Sequence, residues 1–159
     1  MTAILVRVGV LALVSLALCL VIWTGRRYVE AKRQAVLNGA PANLPKAAGL
    51  DNAGASSVQI LNFSSADCSQ CHKLQAPALR RLLEARTGEV TVLNIDAPNE
   101  PELSKRYQVL TVPTTVVLDA AGQAQAVNFG FAPTERLLKQ VDAILAKEQP
   151  AASLAEPAV

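Results

Sequence analysis

The sequence is poor in the residues from which most kinds of site are built. Of its 159 residues only six are aromatic (one Trp, two Tyr, three Phe), so any core must be mostly aliphatic. His72 is the only histidine and Met1 the only methionine, which leaves few ligands for a haem or a soft metal. Three cysteines in a chain of this length do not make a disulfide framework. A formal net charge of +2 is no basic excess of the kind that binds nucleic acid. No internal repeat, phosphate-cradling glycine loop or Ser-His-Asp arrangement occurs. The length admits one compact domain with appendages, not two.

Apolar residues, by contrast, make up 51% of the chain and crowd its start. From Ile4 to Trp23 only Arg7, Gly9, Ser15 and Cys19 interrupt them. Some twenty residues at ~1.5 Å rise each cover the ~30 Å hydrocarbon layer of a bilayer. Arg7 can snorkel to one headgroup layer, and Trp23 and Tyr28 suit the other. A cleaved signal peptide would need a small-x-small site soon after Trp23, and Ala40-Pro41-Ala42 comes too late. A lipoprotein site is disfavoured because the bulky Leu18 precedes Cys19. Residues 1–25 therefore read as a single-pass transmembrane anchor, with Cys19 as a packing residue. Residues 26–57 read as a charged stalk, which could extend the same helix, and then a Gly, Pro, Ala, Asn and Ser linker. Residues 58–147 read as the folded domain and 148–159 as a disordered tail.

Within the domain, Val58 to Phe63 reads as a buried strand and Lys73 to Arg86 as an amphipathic helix. Leu74, Ala78 and Leu82, with Leu79 and Leu83, make the helix's apolar face, and Pro77 should kink it or mark irregular first turns. Val90 to Asp96 is a second strand, parallel to the first across a helical crossover. A short helix over Glu100 to Tyr107 follows. Strands over Thr114 to Asp119 and Gln125 to Phe129 then flank Ala121-Gly122 as a hairpin. A last helix opens at Pro133-Thr134-Glu135.

The chemistry lies between the first strand and its helix, in Cys68-Ser69-Gln70-Cys71-His72. Two cysteines two residues apart at a strand-to-helix junction are suited to a reversible disulfide. A helix beginning near Cys68 would offer that sulfur free N–H groups and the positive end of its dipole, both favouring thiolate. Asp67 next to it works the other way by charge repulsion. Cys71, one turn on and screened, could attack a mixed disulfide on Cys68.

The order strand, Cys-x-x-Cys helix, strand, helix, hairpin, helix resembles the thioredoxin family. The resemblance runs from about Val58 to Lys147. It is carried by Asn62-Phe63 through Cys71, by Leu93-Asn94-Ile95-Asp96, by Val112-Pro113-Thr114 and by Gly130. It implies an α/β thioredoxin-like fold, a central mixed four-stranded sheet flanked by helices, here preceded by one transmembrane helix. It also implies a cis bond at Val112-Pro113 against the cysteines, with Val112 and Pro113 shaping a groove where substrate pairs as an extended strand. Several residues depart from the family pattern. Asp67 stands where Trp is frequent, Asn62 where a proton-moving Asp is frequent, and Val92 where a strand lysine accompanies that Asp. Ser69-Gln70 replaces Gly-Pro, and Pro77 comes one residue later than usual.

The expected function is a membrane-anchored thiol–disulfide oxidoreductase, acting as a protein-disulfide reductase. Cys68 and Cys71 are the catalytic pair and Val112 and Pro113 the substrate-binding residues. No cofactor, metal or nucleic acid is expected. The expected partners are protein thiols and disulfides and an electron-donating reductase. Arg26, Arg27, Lys32 and Arg33 after the span outweigh Arg7 and the terminal amine before it, favouring a domain on the cytoplasmic face over an outward one. The competing class is a non-catalytic thioredoxin-fold binding or redox-sensor module. Cys-x-x-Cys-His also fits covalent haem attachment, and Cys68, Cys71 and His72 three zinc ligands, but neither set is completed by the sequence.

Overall fold

The computed structural model describes residues 2–39 and 58–153. It packs as two units, Met1–Ala35 and Val36–Val159. The first is one uninterrupted helix, α1 (Thr2–Leu37), so the apolar run and the charged stalk share a single rod. Its stretch Leu11–Leu37 is long and apolar enough, by length and composition, to cross a membrane. Leu11, Leu13, Val14, Leu16, Leu18, Val21 and Ile22 are all exposed on it. Near the stalk, the Arg27 guanidinium lies 4.6 Å from the Trp23 ring centroid. Most of the expected linker, residues 40–57, lies outside the described residues.

The second unit is built on a four-stranded sheet in the order β2-β1-β3-β4. Strand β1 (Val58–Ser64) pairs parallel to β2 (Val90–Asp96), Val58 opposite Val90, and antiparallel to β3 (Thr114–Leu118). Strand β4 (Ala124–Phe129) pairs antiparallel to β3, with a register shift at Val117/Leu118. The Asp119 carboxylate closes the β3–β4 hairpin by accepting the Ala121 and Gln123 amides at 3.0 and 2.9 Å, and Gly122 takes φ +77°. These are the strands expected, to within a residue or two at their ends.

Alternating side chains give the sheet two buried faces. On one, Val58, Ile60, Val90 and Val117 pack with Leu79 and Leu82 of α2 (Ala76–Ala85) and with Leu137, Val141 and Ile144 of α4 (Thr134–Ser153). On the other, Leu61, Phe63, Ile95, Val116 and Leu118 pack with Tyr107, just past α3 (Pro101–Arg106). The Phe63 and Tyr107 rings lie 5.8 Å apart. The core is aliphatic apart from that pair, as the aromatic poverty requires. Helix α4 continues past Lys147 to Ser153, and residues 154–159 lie outside the described residues.

One expectation about the helix after the cysteines needs correcting. Leu74 is 45% exposed and Gln75 is fully buried in its place. Counted back from Ala78, Leu79 and Leu82 at ~3.6 residues per turn, position 75 lies in the middle of the buried face and position 74 at its edge. A π-helical turn, Cys71–Gln75, precedes α2, the Ala76 amide reaching back to the Cys71 carbonyl. Pro77, in the first turn of α2, marks the irregular start that it was expected to mark.

Candidate active site

Three chain segments converge at one end of the sheet. Strand β1 runs out at Ser64 toward the cysteines. Thr114, at the start of β3, lies opposite Phe63, so Val112-Pro113 precedes β3 at the same end. Phe129, the last residue of β4, lies opposite Thr114, so the 130–133 segment leaves from there too. The Val112–Pro113 bond is cis, as expected. The Gly130 amide, at φ +82°, donates to the Pro113 carbonyl at 2.9 Å.

Cys68 and Cys71 are joined in a disulfide, Cα to Cα 5.3 Å. Cys68 sits just before the helical residues begin, its own amide bonded to the Ser65 carbonyl at 3.1 Å. The Cys71 amide donates to Cys68 Sγ at 3.1 Å, one of the free N–H groups expected at that end. The two sulfurs differ in access. Cys68 is half-buried at the surface, whereas Cys71 is 4% exposed beneath it. His72 is exposed, and its Nε2 lies 3.0 Å from the Ala66 carbonyl. A carbonyl only accepts, so Nε2 carries the proton and Nδ1 faces away from that bond.

Behind the pair, Asn62 is buried on β1 and donates through Nδ2 to Asn94 Oδ1 at 2.8 Å. Its Oδ1 is buried with no partner among the described residues. Val92 packs at the edge of the nearby apolar cluster. Sequence reading missed Gln75. Its Nε2 donates to the Ala132 carbonyl at 3.3 Å, and its Oε1 accepts the Ala132 amide at 2.9 Å. The signal available was its spacing, three before Ala78, four before Leu79 and seven before Leu82, which puts it on the apolar face of the helix.

Sheet order, helix placement and a disulfide at a strand-to-helix junction together define a thioredoxin-like fold bearing a redox-active cysteine pair. Comparison with known proteins agrees at the level of sequence. The thioredoxin family model matches residues 50–143, more than half the chain, and the chain belongs to that family. It is similar to a thioredoxin of Staphylococcus aureus, 32% identical over 95 residues, or 60% of this chain and 89% of that protein. Among solved structures, chloroplastic thioredoxin z aligns with a TM-score of 0.53 at 26% identity, covering 68% of this chain and 96% of the other. Thioredoxin-2 of the malaria parasite aligns at a TM-score of 0.51 and 20% identity, covering 55% and 82%, a likeness of fold alone. The protein is a thioredoxin-family thiol–disulfide oxidoreductase.

Proposed function

We propose that the chain is a membrane-anchored protein-disulfide reductase in which Cys68 attacks and Cys71 resolves. The observation that carries this reading is the unequal exposure of the two sulfurs, Cys68 at the surface and Cys71 4% exposed. With the pair reduced, the Cys68 thiolate attacks one sulfur of a substrate disulfide. The substrate S–S bond breaks and its first sulfur leaves as a thiolate that takes a proton. Cys71, deprotonated, then attacks Cys68 Sγ and releases the second substrate thiol. Two electrons and two protons pass to the substrate, and the Cys68–Cys71 disulfide is left for an electron-donating reductase to reduce. The Cys71 amide aimed at Cys68 Sγ supports the assignment, since an N–H donor there favours the thiolate. Val112 and Pro113, ahead of β3 at the cysteine end of the sheet, offer backbone to an extended substrate segment.

The anchor is α1, and four basic residues after its apolar run against Arg7 before it favour the cytoplasmic face for the domain. In a Cys19→Ser background, a membrane-impermeant maleimide should reach Cys68 only after the membrane is opened. Labelling of intact cells would reverse the sidedness.

The catalytic reading is tested with insulin as substrate. The full chain should turn over insulin disulfides. Cys71→Ser should accumulate mixed disulfides with partners and Cys68→Ser almost none. Equal trapping by both variants would overturn the roles, and absence of turnover would favour a binding or sensor module.

A further inference from the structure

Among the described residues, Gln75 joins the cysteine helix to the segment beyond β4 through both of its polar atoms, beside a single bond from the Thr134 hydroxyl to the Ala78 carbonyl at 3.2 Å. Gln75 is fully buried, and so is Ala132, whose amide and carbonyl it satisfies together at 2.9 and 3.3 Å across 57 positions of chain. Neither backbone group of Ala132 has another hydrogen bond among those described. The same segment is tied at its other end to the residue ahead of β3, by the Gly130 amide on the Pro113 carbonyl at 2.9 Å. A continuous chain of hydrogen bonds and short peptide links thus runs from the turn containing Cys71, through Gln75, Ala132 and Gly130, to Pro113. At the ~100° per residue of an α-helix, Gln75 falls on the same face as Ala78, Leu79 and Leu82, which is why its amide faces the interior.

We propose that Gln75 is a positioning residue that sets the gap between the cysteine helix and the Pro113 segment, and with it the affinity for extended protein substrates. This rests on the oxidoreductase reading above. Gln75 touches neither the substrate nor the reacting sulfurs; it acts through Ala132 and Gly130. Loss of the clamp therefore loosens the groove for a polypeptide while leaving the chemistry at Cys68 intact for a disulfide too small to use the groove.

The test compares the full chain in detergent micelles with Gln75→Met, Gln75→Glu and Asn128→Ala. Gln75→Met keeps the length of the side chain and removes the amide. Gln75→Glu keeps an acceptor for the Ala132 amide and loses the donor. Asn128→Ala breaks the reciprocal amide pair with Gln140, at 2.9 and 3.0 Å, and the bond to Thr115 Oγ1 at 3.1 Å, and so perturbs stability without removing a hydrogen bond of the clamp. Gln75→Met should lower kcat/KM for insulin roughly tenfold, carried by KM, the scale expected for losing two buried hydrogen bonds that order the groove. Its single-turnover rate with hydroxyethyl disulfide should stay within about twofold of wild type. Gln75→Glu should fall between the two, and Asn128→Ala should match wild type with both substrates. Wild-type insulin kinetics in Gln75→Met, or an equal loss with both substrates, would overturn the proposal. Where Gln75→Met does not fold, Gln75→Glu decides alone, and a wild-type KM in that variant overturns it. A wild-type chain that fails with insulin removes the oxidoreductase reading and this inference with it; that failure is visible before any variant is compared.

Discussion

Two buried amides flank the cysteine pair, and they are treated in opposite ways. Gln75 spends both ends on the Ala132 backbone. Asn62 uses its NH₂ on Asn94, an exposed residue, and leaves its Oδ1 buried without a partner among the described residues. The difference shows that burial of a polar group is a poor guide to its worth; what counts is which groups would be orphaned by its removal. Taking away Gln75 strands an amide and a carbonyl that are themselves buried. Taking away Asn62 strands only an Asn94 side chain that water can reach, and removes one orphan already present.

The largest expected effect follows from the first half of that comparison. Gln75→Met should lower unfolding stability by about 2–6 kcal/mol, since two buried backbone groups lose their partners at about 1–3 kcal/mol each. Denaturant unfolding measures it. A loss under about 1 kcal/mol would mean that Ala132 finds other partners and that the clamp carries little stability.

Asn62→Leu, of nearly the same shape, should change stability by no more than about 1 kcal/mol in either direction, because it exchanges one hydrogen bond for one relieved orphan. A loss as large as that of Gln75→Met would erase the contrast between the two amides. In that case Asn62 Oδ1 would have a partner in solution, such as a bound water reaching toward the cysteines.

Tyr107 extends the comparison to a third buried polar group, and gives the smallest effect. Its hydroxyl is buried with no partner among the described residues. Burial raises its pKa above the ordinary value of 10.0, with Arg106 pulling in the opposite direction. Because the folded-state value is the higher one, the unfolded chain ionises first as the pH passes 10.0. The folded state therefore binds more protons there, and stability falls with rising pH above that point. Tyr107→Phe should leave stability at neutral pH nearly unchanged and flatten the decline above 10.0. An equally steep decline in the variant would assign it to other groups.

Much of this arrangement was legible before any coordinates. Alternating and clustered aliphatic residues placed all four strands, Ala121-Gly122 marked the hairpin, and the strand–Cys-x-x-Cys–helix order located the redox pair. The cis bond at Val112-Pro113 was legible through the family resemblance alone. The cysteine helix was misread at Leu74 and Gln75. Helical spacing from Ala78, Leu79 and Leu82 puts position 75 on the buried face, but a polar residue there has no visible reason until the Ala132 backbone is brought to pair with it.

The sequence by itself determined the division into an apolar rod and an α/β domain, because hydrophobic runs and periodicities are local properties that a linear pattern carries. It also determined where the two thiols sit, since a three-residue spacing at a helix start brings them together without help from distant residues. Only the tertiary structure decided which buried amides are satisfied, and that Gln75 meets Ala132. Those outcomes depend on backbone groups far apart in the chain, and a hydrogen bond between positions 75 and 132 exists only once the sheet has brought their segments to the same end.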